Sequence, residues 1–174
     1  MLCRGVEIGA AHPDDVTGDH DEAYGFRVFL RHYCVPLAGV DRYRPTHDFL
    51  ADARAARGFN GDIAEYRRRW YAALDDVTAD ELDELAVRMA RKTLLAVAGL
   101  VSLPDHTWTT DRETASRRWG ELEPDLADGL ATLGRWVDGV HGVDHETVER
   151  ILTATVTPIA VRFADQVGLW PDAT

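Results

Sequence analysis

Three basic side chains that lie close together along the chain, Arg88, Arg91 and Lys92, could bind a phosphate chain. Their spacing places them on neighbouring positions of one helix surface. Guanidinium and ammonium groups suit phosphate in both geometry and charge. Acidic residues precede them, however, and Glu84 stands four residues before Arg88, which is the spacing of an ordinary helix ion pair. The pattern therefore leaves two interpretations open, a phosphate-facing surface and a solvated, ion-paired surface.

The residues that follow these bases resemble the helical C-terminal domain of aminoglycoside-type nucleotidyltransferases. In that family a basic helix leads through a turn to a Ser/Thr-rich helix start, then an aromatic residue, then an acidic or proline-containing stretch. The likeness covers about residues 75–140. One departure is that Arg112 opens the second helix at a distance from Trp119 that differs from the family pattern. The matching residues after the three bases are Gly99, Trp108-Thr109-Thr110-Asp111, Trp119 and Glu123-Pro124.

The resemblance implies a nucleotide site at Arg88, Arg91 and Lys92, and a second-substrate side formed by Trp108 and Asp111. A complete enzyme of this kind transfers a nucleotidyl group from Mg²⁺-bound ATP, or another nucleoside triphosphate, to a hydroxyl of a small molecule. The implied partners are that small-molecule substrate and either a second copy of the chain or a separate catalytic subunit.

The family's catalytic module is less visible in this chain. It needs a Gly-Ser loop, an Asp-x-Asp pair and a third carboxylate, because clustered carboxylates hold the Mg²⁺ that aligns the triphosphate. The chain has no Gly-Ser dipeptide, and we expect Asp19-His20-Asp21 to be a loop or helix N-cap. Glu7 fits the third, catalytic and metal-binding carboxylate best. On this interpretation the chain begins late in the module, and we expect it to be inactive alone or to need a partner's carboxylates.

A second motif, Ala11-His12-Pro13-Asp14-Asp15, resembles the signature of zinc-dependent N-acetyl sugar deacetylases of the PIG-L type. The resemblance implies that His12 and Asp15 bind zinc and that Asp14 activates water. His141 or His145 would supply a further ligand. That family needs an α/β sheet, and the rest of the chain offers almost no strands.

Arg27 and His32 fit the Arg-x4-His pattern of helical HEPN ribonucleases, which arises easily by chance. A surface arginine and a half-buried histidine explain the pattern more simply. The other alternative to an enzyme is a helical interaction domain without catalytic activity.

The elements that must position these residues are mostly helices. Residues 4–11 predict one short strand, whereas 21–33 fit a helix or a strand. From residue 46 onward the sequence predicts helices joined by short connections. Short connections favour antiparallel neighbours, and we therefore expect an up-and-down bundle. We therefore predict a mainly α fold, with a short α/β remnant at 1–45 and a helical bundle domain at 46–174. The predicted helices are 47–57 (capped by Thr46 and stopped by Gly58), 61–74, 79–101 (opened by a capping box of Thr78 and Glu81), one opened by a capping box at Thr110–Glu113, 124–137, and 144–167 (capped by Asp144 and kinked or split at Pro158). Two of these helices have apolar stripes that we expect to be buried: Leu82, Leu85, Met89, Leu95, Ala96 and Leu100 in 79–101, and Val148, Ile151, Leu152, Val156, Ile159 and Phe163 in 144–167.

The composition of the chain limits the classes of partner that it could bind. The 19 basic and 30 acidic side chains give a formal net charge of −11, which argues against nucleic acid and against an anionic membrane surface. Cys3 and Cys34 form no metal-ligand spacing or disulfide framework, and no leader segment or membrane-length apolar run is visible. These features predict a cytoplasmic protein.

Overall fold

The computed structural model describes residue 12 and residues 16–35, 37–39, 49–107 and 111–171, and these are mainly α-helical. No strand occurs in those ranges, so the predicted mainly α fold is confirmed. The strand expected over 4–11, and with it the α/β remnant, lies outside the described residues. The boundary between residues 45 and 46 stays a prediction.

The helices are listed here in chain order. A 3₁₀ turn, Pro124–Leu126, and a π-helical stretch, Leu152–Val156, adjoin three of them. None of the helices in the described ranges has the length and apolarity needed to cross a bilayer. The bounds are α1 Asp21–His32, α2 Ala53–Asn60, α3 Ile63–Asp76, α4 Ala79–Asp105, α5 Arg112–Leu122, α6 Ala127–Val137, α7 His145–Ile151 and α8 Thr157–Gln166.

Several helix starts follow local sequence rules. The capping box predicted at Thr78 is present, with the Glu81 side chain accepting a hydrogen bond from the Thr78 backbone amide. Asp144 accepts from the Thr147 amide at 2.7 Å, as predicted for the cap of α7. The second predicted capping box, Thr110–Glu113, is wrong by one residue, because the N-cap of α5 is Asp111 and its carboxylate accepts from the amides of Glu113 and Thr114. Short-range hydrogen bonds thus fix where these helices begin.

The helix predicted over 47–57 is wrong in both of its bounds. It begins at Ala53, because Asp52 accepts a hydrogen bond from the Ala55 amide at 2.9 Å. It also continues through Gly58 to Asn60. The helix does not end at Gly58. At this position the absence of a side chain allows α1 to approach α2 closely.

α1 and α2 cross in backbone contact at a pair of glycines. A Cβ built on Gly25 would lie 2.5 Å from the Gly58 carbonyl carbon, and one on Gly58 would lie 2.6 Å from the Gly25 Cα. Neither position has room for a side chain. Next to this crossing, Val28 packs with Phe49 and Ala55 in a small apolar cluster.

α4 is the centre of the main core, with α2, α3, α5, α6 and α8 packed around it. Met89, Ala96 and Leu100 of its predicted apolar stripe are fully buried. Leu95, predicted on the same stripe, is 42% exposed, and Leu94 is buried in its place. One side of α4 is therefore left partly open, between α2 and α5.

The predicted interruption of the last helix at Pro158 is confirmed. Proline lacks the amide that would continue the helical ladder. Five π-helical residues, Leu152–Val156, precede α8, and Pro158 occupies the first turn of α8, where proline is tolerated. All the residues predicted to be buried along this helix are buried: Val148, Ile151, Leu152, Val156, Ile159 and Phe163.

Candidate functional site

A single stripe of α4 connects the predicted phosphate-binding arginines to a pocket. Positions 88, 91, 95, 98 and 102 recur every three or four residues and share one side of the helix. Arg88 and Arg91 are exposed, and neither forms an ion pair within 4.0 Å with a described residue. The Glu84–Arg88 pair that the spacing suggested is therefore not formed. Both guanidinium groups stay available to an anion on this surface.

Lys92, the third predicted phosphate ligand, has a partner within the fold. Its Nζ lies 2.6 Å from Asp62 Oδ1, with side chains 17% and 16% exposed. The same ammonium donates to the Phe59 carbonyl at 3.3 Å and lies 5.0 Å from the centre of the Tyr66 ring. These contacts join α4 to the start of α3, which is a structural role for Lys92.

Asp111, predicted on the second-substrate side, is the N-cap of α5. Its carboxylate accepts from the amides of Thr114, at 2.9 Å, and Glu113, at 3.4 Å. Hydrogen bonds from the Thr114 hydroxyl and amide lower the pKa of Asp111 below its ordinary value of 3.8. Trp108, its predicted neighbour in the site, lies outside the described residues, as does Glu7.

A pocket of about 270 Å³ lies between α1, α2, α4 and the start of α5. We call it the Asn60 pocket. Aromatic rings of Phe29, Tyr33 and Phe59 form part of its wall, and burial raises the pKa of Tyr33 above its ordinary value of 10.0. Its described lining consists of Phe29, Tyr33, Ala56, Phe59, Asn60, Leu95, Ala98, Gly99, Ser102 and Arg112.

Two polar groups in the Asn60 pocket lack hydrogen-bond partners among the described residues. Asn60 is 3% exposed, and its Oδ1 atom is buried without a donor. Arg112 is half-buried, and its Nε is buried without an acceptor. Native proteins pair most buried polar groups, so an unpaired donor and an unpaired acceptor in one pocket suggest a ligand site.

A larger, open groove of about 830 Å³ lies between α5 and α6. Its charged lining is mixed in sign, with Arg112, Arg117 and Arg135 against Asp111, Glu113, Glu121 and Asp138. This balance favours neither an anionic nor a cationic ligand.

Only some of the residues that the zinc-binding alternative requires lie in the described part of the chain. His12 is exposed, and Asp14 and Asp15 lie outside the described residues. His145 Nε2 lies 3.0 Å from the Leu74 carbonyl, and the His141 side chain is 99% exposed. Among the described residues, no group of three His, Cys, Asp or Glu side chains could hold a metal ion.

The Arg27 and His32 pair of the ribonuclease alternative also has structural contacts. Arg27 donates to the carbonyls of Val16 and Gly18 at 2.5 and 2.8 Å. His32 Nε2 accepts from the Phe49 amide at 3.2 Å. Five residues apart, the two side chains point about 140° away from each other around α1.

Sequence patterns did not indicate Asn60 as a site residue, and they indicated Arg112 only as the start of α5. Asn60 stands between Phe59 and Gly61 at a helix end, where asparagine ordinarily marks a turn. Asn60 is nevertheless buried, at a pocket where α1, α2, α4 and the start of α5 meet. Comparison of the chain with protein-family models, with curated proteins and with solved structures finds no match.

Proposed function

We propose that this chain is a nucleotidyltransferase-like helical domain that binds the phosphates of a Mg²⁺-bound nucleoside triphosphate, such as ATP, through Arg88 and Arg91. The observation that supports this is the pair of exposed arginines, unpaired among the described residues, on one stripe of α4. Several other cations of the described chain are ion-paired within the fold, such as Arg57 with Asp21, Lys92 with Asp62 and Arg118 with Asp105. In a chain of net charge −11, Arg88 and Arg91 are a local anchor for an anion, and their stripe continues through Leu95 to the Asn60 pocket.

The spacing along α4 suits an extended phosphate chain. With a rise of about 1.5 Å per residue, Arg91 lies about 6 Å and Arg88 about 10 Å along the axis from Leu95 at the rim of the Asn60 pocket. Long arginine side chains at those two levels can contact successive phosphates and form bidentate hydrogen bonds. Bound Mg²⁺ would neutralise part of the triphosphate charge, which lowers repulsion from this acidic protein.

Binding is the role that the proposal gives to the described residues. Transfer of the nucleotidyl group would need a set of metal-holding carboxylates, of which Glu7 is the candidate from this chain. A partner catalytic subunit or a second copy would complete that set. The small-molecule substrate would then meet the nucleotide near Asp111, which the resemblance assigns, together with Trp108, to the second-substrate side.

Isothermal titration calorimetry with MgATP tests the proposal. We expect wild type to bind, and the double variant Arg88→Ala/Arg91→Ala to bind at least about tenfold more weakly, since each hydrogen bond to a charged group contributes about 1.5–3 kcal/mol. The matched control is Arg67→Ala/Arg68→Ala on α3, which removes the same charge elsewhere and should bind like wild type. No measurable binding by wild type at millimolar MgATP would contradict the proposal.

The zinc alternative is tested by metal analysis of the same purified protein. One zinc ion per chain, lost on substitution of His12 or Asp15, would favour the deacetylase over the nucleotide-binding domain.

A further inference from the structure

We propose that the Asn60 pocket binds a small aromatic carboxylate that also has a hydroxyl group. The proposal is independent of the nucleotide site, because it depends on Asn60 and Arg112 and not on Arg88 or Arg91.

The size and walls of the pocket favour a single aromatic ring. A cavity of about 150 Å³ is enough for benzene, so a pocket of about 270 Å³ has room for a ring with two small substituents. Phe29, Tyr33 and Phe59 offer ring faces and edges, and aromatic pairs favour such stacked or edge-on contacts. Gly99 contributes a wall without a side chain, next to the Ala98 methyl group.

The charge of the pocket favours an anion. Arg112 is the only charged residue among its described lining residues. Its buried Nε has no acceptor among the described residues, and a carboxylate matches a guanidinium in planar, charge-assisted geometry. A cationic ligand would meet the positive charge of Arg112, and no described lining residue carries a negative charge to offset it.

Asn60 favours a ligand that also donates a hydrogen bond. Its side chain is 3% exposed and lines the pocket, and its Oδ1 is a buried acceptor without a described donor. A hydroxyl on the ring would donate to that oxygen. The carboxylate and the hydroxyl thus satisfy the two unpaired groups of the pocket together.

The probe that tests this is 4-hydroxybenzoate, titrated into the full chain and followed by protein NMR chemical shifts. We expect saturable binding with a Kd below about 1 mM, with the shifts confined to residues around the Asn60 pocket. Benzoate, which lacks the donor, and 4-hydroxybenzyl alcohol, which lacks the charge, should each bind at least about fivefold more weakly. No saturation of wild type at 10 mM probe, or equal binding of the uncharged analogue, would overturn the proposal.

Two variants separate a binding role from a structural one. Arg112→Gln should weaken 4-hydroxybenzoate at least about tenfold, whereas Arg117→Gln, also on α5 but outside the pocket, should not. Asn60→Leu should abolish the preference for 4-hydroxybenzoate over benzoate, which a general loss of stability would not do. If Asn60→Leu does not fold, Asn60→Ala serves in its place with the same expected loss of preference, because alanine also lacks a side-chain acceptor. An unchanged preference in the folded variant, or unchanged affinity in Arg112→Gln, would overturn the assignment. MgATP binding by the same variants should stay unchanged, which keeps this test apart from that of the nucleotide site.

Discussion

Lys92 Nζ lies 2.6 Å from Asp62 Oδ1, and this pair connects the middle of α4 to the residue that precedes α3. Both side chains are mostly buried, so the pair belongs to the packing of α2, α3 and α4. The basic residues of α4 therefore divide into two groups. Arg88 and Arg91 face outward, and Lys92 faces its neighbouring helices.

Lys92→Met should destabilise the fold. The substitution keeps most of the apolar stem but leaves the Asp62 carboxylate without its cation, and a buried group that loses its partner costs about 1–3 kcal/mol. Urea denaturation followed by circular dichroism measures the free energy of unfolding. Arg91→Met is the matched control, because exposed Arg91 has no described ion pair and should change stability by less than about 0.5 kcal/mol. Loss of MgATP binding by Lys92→Met at unchanged stability would show that Lys92 is a ligand residue.

Gly25→Ala should destabilise the crossing of α1 and α2. The added methyl carbon would lie 2.5–2.7 Å from Gly58 backbone atoms, which cannot move without shifting α2. Overpacking of this kind costs about 1–3 kcal/mol. Gly134→Ala in α6 is the control with the opposite sign, since a Cβ there meets nothing within 4 Å and alanine favours a helix by about 0.5–1 kcal/mol. Thermal denaturation should thus give a lower Tm for Gly25→Ala and a higher Tm for Gly134→Ala; a raised Tm in both would show that the two helices separate easily.

These glycines also show what the sequence could and could not predict. Gly58 carries the local signal of a helix end, and only the approach of Gly25, 33 positions away, explains why the helix continues. By contrast, Thr78 with Glu81 and Asp144 with Thr147 are contacts within one helical turn, so the sequence predicted both caps. Contacts within one helical turn could be predicted from the sequence, whereas contacts between distant segments could not.

The same difference between local and long-range contacts applies to the candidate sites. The helical spacing of Arg88 and Arg91 correctly predicted that they share one surface of α4. The pairing of Lys92 depends on how α3 crosses α4, and the Asn60 pocket depends on four helices meeting. Neither arrangement has a signature in residue spacing.

Acid should weaken the contact between α1 and α2 through Asp21. Hydrogen bonds from Arg57 lower the pKa of Asp21 below its ordinary 3.8, although burial opposes this. A carboxyl whose pKa is lower in the folded state stabilises the fold above the unfolded value, and this contribution is lost as the pH falls through the folded value. Asp21→Asn should therefore be less stable than wild type at pH 7, with the difference shrinking below about pH 4.

Urea denaturation of wild type and Asp21→Asn at pH 7 and at pH 3 measures this change. Glu22→Gln is the control on the same helical turn, because Glu22 is exposed and has no ion pair with a described residue. It should show little difference from wild type at either pH. A stability difference for Asp21→Asn that is the same at both pH values would mean that the Arg57 contact is not electrostatic.

Substitutions at Asp111 can distinguish a helix-capping role from a substrate-binding role. As the N-cap of α5, its carboxylate satisfies the amides of Glu113 and Thr114, which have no partner within the helix. Asn caps nearly as well as Asp, whereas Ala cannot accept a hydrogen bond. Asp111→Ala should therefore lower the Tm by about 2–4 °C and Asp111→Asn by much less. If Asp111 also binds a substrate through its charge, Asp111→Asn would keep the Tm but lose binding. Equal Tm values for the two variants, both well below wild type, would show that the charge and not the hydrogen bond stabilises α5.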